Sequence, residues 1–269
     1  MVEEGGRWSG PQGTCSGHIL CKSILGAPFH FMSMSALRTV VVPPTAGGFP
    51  SATVFILHGL GDTAQGWLDV AKMLGRNQAL QHVRFVLPTA PIQPVTINMG
   101  MSMTSWFDLY SLTDLEQGED EAGMLNSVSS VEKLVEQETD GSAPGLNGHK
   151  IPMSRIVLAG FSQGGAIAQL LGLTSKERPA GVAALSTWLP LHKKISSMRA
   201  KQQTYPFFQA HGTVDPMVDY EFGRRSFEAV KNDLGFGNQA EWHEYQMPHS
   251  ACPGEITDLA AWLERVISL

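Results

Sequence analysis

The chain has 269 residues, 43% of them hydrophobic and 16% charged, with a formal net charge of −6. That length can bury one sizeable core, and no shift in composition marks a second domain. The acidic balance and the lack of basic clusters argue against nucleic acid as a partner, and no apolar stretch is long enough to span a bilayer.

In chain order, residues 1–35 are rich in Gly, Ser and apolar side chains without clear periodicity, and are read as a flexible N-terminal extension. Glu3 and Glu4 stand where a secretory signal carries positive charge, and Lys22 interrupts the apolar segment. Cys15, Cys21 and Cys252 form an odd set with neither zinc spacing nor a disulfide pattern. A reduced, intracellular compartment is the simplest expectation. Met32 and Met34 precede the next segment, so translation starting there and a tail that is made both remain open. Residues 36–269 read as a single domain. Strand-like runs at 40–42, 53–57, 84–87, 155–159, 181–186, 207–210 and 241–246 alternate with helix-like runs at 67–74, 121–138, 163–173, 220–233 and 254–267. Such alternation predicts an α/β fold, a mostly parallel sheet with helices on both faces. The stretch 140–149 is rich in Gly, Pro and Asn, and is expected to be a mobile surface loop remote from chemistry.

The most informative pentapeptide is Gly160-Phe161-Ser162-Gln163-Gly164, between the apolar run 155–159 and a helix-like stretch. A G-x-S-x-G sequence between strand and helix presents a serine nucleophile on a sharp turn. In that arrangement an acid and then a histidine follow the serine in the chain. Asp215 lies just past the buried-strand run 207–210, and His249 lies past the strand-like run 241–246. Both are strand-end positions, where sheet enzymes carry their functional groups. Ser162 needs a base to take its proton, which His249 can do near neutral pH. Asp215 would fix the imidazole tautomer and stabilise the imidazolium. The oxyanion requires backbone donors. Gln163, the residue after the nucleophile, supplies one, and Leu60 in the early turn His58-Gly59-Leu60-Gly61 the other, unless that turn is only a glycine bend.

With these residues in view, the chain resembles the acyl-protein thioesterase and lysophospholipase family of small serine hydrolases. The resemblance rests on His58-Gly59-Leu60-Gly61-Asp62-Thr63, Pro88-Thr89-Ala90-Pro91, Trp106-Phe107-Asp108 and Gly160 to Gly165. Ser186-Thr187-Trp188-Leu189-Pro190, His211-Gly212 with Asp215-Pro216, and His249-Ser250 complete it. It implies an α/β-hydrolase fold that cleaves fatty-acyl thioesters of protein cysteines, with overlapping activity on lysophospholipids and short esters. It further implies S-acylated proteins and lysophospholipids as substrates, no metal or organic cofactor, peripheral membrane contact, a monomer or weak homodimer, and a cytoplasmic and nuclear location. Two other readings stand beside it: a small-molecule carboxylesterase with the same machinery, and a hydrolase fold turned ligand receptor. The intact Ser162, Asp215 and His249 set argues against the second.

Specificity must come from outside the triad. The segment 94–106 is too apolar for an ordinary solvated loop, and methionines suit irregular gaps. By resemblance it is the cap-like loop beside the active site. Ile97, Met99, Trp188, Met217 and Phe222 are the candidate substrate-wall residues, with ordinary core packing as the alternative for each. His58 and His211 are read as loop-shaping, His243 as structural, and Cys252 as a spectator. Asp62 and Asp108 have no chemical step to perform and are read as helix caps or loop anchors.

Overall fold

The computed structural model describes residues 36–112, 118–199 and 203–269, within the compact unit Ser35–Leu269. The expected N-terminal extension, with Cys15 and Cys21, lies outside the described residues.

Seven strands form the main sheet: β1 (Arg38–Val42), β2 (Ala52–Leu57), β3 (Val83–Thr89), β6 (Ile156–Phe161), β7 (Gly181–Leu185), β8 (Phe207–Gly212) and β9 (Ala240–Tyr245), in the order β1-β3-β2-β6-β7-β8-β9. Only β1 runs antiparallel, against β3; the other pairings are parallel. Parallel strands put their C-terminal ends on one edge, so the turns after β2, β6, β7, β8 and β9 gather there. β2 is buried at every position, as a strand covered on both faces must be. Its side chains alternate between two cores. Phe55 and Leu57 join one cluster with α2 (Glu121–Asp140), α3 (Gln163–Thr174), α4 (His192–Met198) and α5 (Tyr220–Glu228). Val54 and Ile56 join the other, with α1 (Leu68–Arg76) and α6 (Pro253–Val266).

Each predicted strand and helix is present, with ends shifted by a few residues. The helix expected over 220–233 runs as α5 and then continues as a π-helical turn, Ala229–Asp233. Two elements were not predicted. Short α4 buries only Ile195, too little to impose a period on the sequence. The apolar segment after β3 folds as an antiparallel hairpin, β4 (Ile92–Val95) with β5 (Met101–Thr104). The expectation for 140–149 also needs correction, because that loop is pinned. Leu146 is fully buried and Ala143 nearly so, and the Pro144 carbonyl accepts from Arg84 Nη2 at 2.9 Å. Arg84 also pairs with Glu138 at 3.0 Å, and Glu138 accepts from Thr53 Oγ1 at 2.8 Å, all of it buried. The polar composition of the loop conceals one apolar anchor and one buried ion pair.

The last helix begins with an unusual group. Glu255, in the first turn of α6, is fully buried, and among the described residues neither carboxyl oxygen has a partner at hydrogen-bond geometry. Burial pushes its carboxyl up from the usual 4.5 to about 8. Glu255 is therefore protonated in the folded protein at neutral pH and ionised in the unfolded chain. The folded state binds the extra proton, so stability falls as pH rises from about 4.5 to about 8, then levels off. Glu255→Gln should remove this loss. Between pH 5 and pH 9 the melting temperature of the wild type should drop measurably more than that of the variant, and equal drops would contradict the assignment.

Candidate active site

The turn from β6 into α3 permits no side chain at positions 160 and 164. A Cβ on Gly160 would stand 2.3 Å from the Gly164 carbonyl oxygen, and one on Gly164 would stand 2.3 Å from that of Leu57. Between them Ser162 takes φ 53° and ψ −123°, a region that costs a non-glycine residue on the order of 1–3 kcal/mol. The strain is held by neighbours at both ends of the residue. The Ser162 N–H donates to the Leu185 carbonyl at 2.8 Å, and the Ser162 carbonyl accepts from Thr187 Oγ1 at 2.7 Å.

The three sequence-predicted groups are brought together. Ser162 Oγ lies 2.9 Å from His249 Nε2, and His249 Nδ1 lies 2.6 Å from Asp215 Oδ2. An ionised carboxylate only accepts, so Nδ1 carries the proton and Nε2 presents its lone pair to the serine hydroxyl. Asp215 Oδ1 accepts the N–H groups of Met217 at 2.8 Å and Val218 at 2.9 Å. Burial alone would push the Asp215 carboxyl up. The His249 hydrogen bond, the two backbone donors and the imidazole charge outweigh that and hold it below the usual carboxylate range. As pH falls, Asp215 stays ionised longer than an ordinary aspartate.

Gln163 opens α3, so its N–H is among the four that a helix leaves without an internal partner. Its side chain is fully engaged elsewhere. Oε1 accepts from the Trp106 N–H at 2.8 Å, and Nε2 donates to the Phe107 carbonyl at 2.7 Å. Gln163 thus ties the helix start to the segment after the β4–β5 hairpin. Leu60 and Gln163 both line the cleft.

The histidines read as loop-shaping do that work. Ala90 N–H donates to His58 Nε2 at 3.0 Å, so Nδ1–H donates to the Gly59 carbonyl at 2.7 Å. His211 Nε2–H donates to the Val218 carbonyl at 2.9 Å, spanning the Asp215 turn. Burial holds both imidazoles below their usual range and neutral. His243 stacks on Phe208 at 4.5 Å. Asp108 anchors the hairpin by accepting the Thr96 N–H at 2.7 Å and its hydroxyl at 2.6 Å. Asp62 accepts the Thr63 N–H at 2.7 Å. Cys252 is the N-cap of α6, its Sγ 3.5 Å from the Glu255 N–H.

Above Ser162 opens a cleft of about 490 Å³, within the range of ligand sites. Ile97, Trp188 and Met217 line it, as expected. Met99 and Phe222 do not, and those two expectations are corrected. Met99 caps the turn Thr96–Asn98 in the left-handed conformation and is 89% exposed. Phe222 packs against the core on α5, with the Arg225 guanidinium 4.7 Å from its ring centre. Trp67, Val70, Leu109 and Phe161 line the cleft and were missed. Phe161 could have been found, since a residue flanking the nucleophile must face either the helix or the cleft. The strain at Ser162 gives a direct test. Ser162→Gly should raise stability by about 1 kcal/mol, the relieved strain less the flexibility of glycine, read as a higher denaturant midpoint. A midpoint below the wild type would show the turn is unstrained.

Comparison with known proteins agrees with this geometry. The Phospholipase/Carboxylesterase family profile matches residues 40–267. An acyl-protein thioesterase 1 from Mycosarcoma maydis is 57% identical over 237 residues, 87% of this chain and 99% of that protein. One from Cryptococcus neoformans is 45% identical over 227 residues, 79% of this chain and 91% of its own. Among solved structures, acyl-protein thioesterase 2 of Zea mays superposes with a TM-score of 0.72 at 28% identity, covering 86% of this chain and all of that one. The sheet order, its two helical layers and these matches identify an α/β-hydrolase fold, and the chain belongs to the Phospholipase/Carboxylesterase family.

Proposed function

We propose that this protein is a serine hydrolase that removes long-chain acyl groups from protein cysteines, and that lysophospholipids and carboxyl esters are further substrates of the same site. The observation that carries the reading is the chain of contacts Ser162–His249–Asp215 at the floor of an apolar cleft. The thioesterase names of the fungal relatives support the choice of substrate class.

The geometry performs the reaction in two halves. His249 Nε2 takes the Ser162 proton as Oγ attacks the thioester carbonyl. The Gln163 and Leu60 N–H groups receive the oxyanion, where preorganised donors contribute most. Collapse of the tetrahedral intermediate breaks the carbon–sulfur bond, and the imidazolium gives its proton to the leaving sulfur. Water then repeats the sequence on the acyl-enzyme and releases the fatty acid. Asp215, fixed by the Met217 and Val218 N–H groups, holds His249 in the productive tautomer. The acyl chain lies along Ile97, Leu109, Trp188 and Met217.

The same reading places the enzyme in the cytoplasm and nucleus, as a monomer or weak homodimer that touches membranes peripherally. Exposed Ile92, Met99 and Met101 on the hairpin beside the cleft support the membrane contact.

Wild type should hydrolyse a palmitoyl-cysteine peptide with an acyl-enzyme burst that Ser162→Ala lacks. Asp215→Asn should lower kcat by about 10³–10⁴-fold by presenting the wrong tautomer. A stronger preference for lysophosphatidylcholine would move the main activity to lysophospholipase on the same residues. Unchanged turnover in Ser162→Ala would sink the mechanism.

A further inference from the structure

The cleft has two walls that belong to different halves of the core. Ile97, Met103, Leu109 and Trp188 pack with the α2–α5 cluster, whereas Trp67, Val70 and Phe161 pack with the α1–α6 cluster. Reaction chemistry tells them apart. The imidazolium of His249 must hand its proton to the departing atom, so the leaving group exits beside His249. The ring next to His249 is Phe161, at 4.7 Å, and Phe161 meets Trp67 at 5.5 Å. Gly66, the neighbour of Trp67, has the Asp62 carboxylate against it, since a Cβ there would stand 2.2 Å from Asp62 Oδ2. A continuous wall therefore runs His249, Phe161, Trp67, Asp62, and all four line the cleft.

Asp62 is half-buried, and among the described residues the Thr63 N–H is the only hydrogen-bond donor to its carboxylate. Among the described residues lining the cleft, none is Lys or Arg. Apart from the triad imidazole, Asp62 is the one titratable side chain among the described residues that line the cleft.

We propose that this wall is the leaving-group subsite and that Asp62 selects leaving groups carrying a positive charge. The inference rests on the hydrolase reading and specifies its substrates. The cation could be the trimethylammonium of a choline headgroup or a basic side chain near the acylated cysteine. The carboxylate attracts either one, and the Trp67 and Phe161 rings offer the aromatic surface that cations favour. The same charge disfavours anionic leaving groups, such as a polyphosphate-bearing thiol. One unit charge ~6 Å from Asp62, at a dielectric between protein surface and water, changes specificity about five-fold, and less at high salt.

The test compares kcat/KM of wild type and Asp62→Asn on two matched pairs at low and high salt. The first pair is palmitoyl-cysteine peptides with Lys or Glu two residues after the cysteine. The second is lysophosphatidylcholine and lysophosphatidylglycerol. Asparagine retains the acceptor for the Thr63 N–H, and a thermal melt checks that the variant is folded. The expected result is a wild-type cation preference of about 25-fold in the peptide pair, whose members differ by two unit charges, and about five-fold in the lipid pair, whose members differ by one; both disappear in the variant and weaken with salt. A response in the peptide pair alone assigns the cation to acylated proteins, and in the lipid pair alone to choline lipids. Equal ratios in both proteins overturn the proposal, even if the variant is slower on every substrate, because Asp62 then only holds its turn. If folded wild type cleaves none of the four, the hydrolase reading falls and this inference with it.

Discussion

The backbones of β6 and α3 meet around Ser162 so closely that no side chain fits two positions to either side of it, and the rest of the site depends on that approach. Gly160 and Gly164 are what allow it, since a Cβ at either would overlap a carbonyl group. The contact between strand and helix lifts Ser162 into a conformation that an isolated serine avoids. It also sets the start of α3 directly behind the hydroxyl, so that the Gln163 N–H is left without a helical partner. Nucleophile and one oxyanion donor are thus consequences of a single packing constraint.

A strained residue persists only where its surroundings over-determine it, and here they do. Thr187 and Leu185 hold the Ser162 backbone from β7 and its following turn. The buried Gln163 side chain fastens α3 to Trp106 and Phe107, and Trp106 Nε1 donates to the His58 carbonyl at 2.8 Å. His58 in turn receives the Ala90 N–H at the end of β3. The turns after β2, β3, β6 and β7 are therefore joined through buried hydrogen bonds whose members are mutually satisfied. Such networks rigidify a core and make one arrangement unique. This network holds the three triad groups at short distances.

Much of this was legible in the sequence because the sheet is parallel and buried. Continuous apolar runs such as 53–57 and 155–159 can hardly be anything else, and glycines at fixed spacing around Ser162 announce the turn. Asp215 and His249 were legible from their chain order and their places after strands. The hairpin β4–β5 was not, because Pro94, Asn98 and Gly100 break the alternation that marks a strand pair. Loop 140–149 misled because its local polarity says nothing of Leu146, whose burial depends on distant partners. Met99 and Phe222 failed for a related reason. A side chain's type was visible, but the direction it takes is set by a left-handed turn in one case and by the register of α5 in the other. Trp67 was hidden because it belongs to the α1 side of the sheet, which no motif linked to the nucleophile.

That hidden wall follows from the geometry of the sheet itself. Side chains of a strand alternate between its faces, so a nucleophile at the end of a central strand stands at the seam between two cores. Any cleft above it must draw one wall from each. In this protein the walls differ in kind: one has Ile97, Leu109 and Met103, a side chain that adapts to variable apolar partners, and the other has two packed aromatic rings and a carboxylate. The walls pack into separate clusters, and residues without shared partners contribute almost independently. Acyl-chain preference and leaving-group preference can therefore change one at a time, while the turn at Ser162 and the proton path through His249 stay as they are.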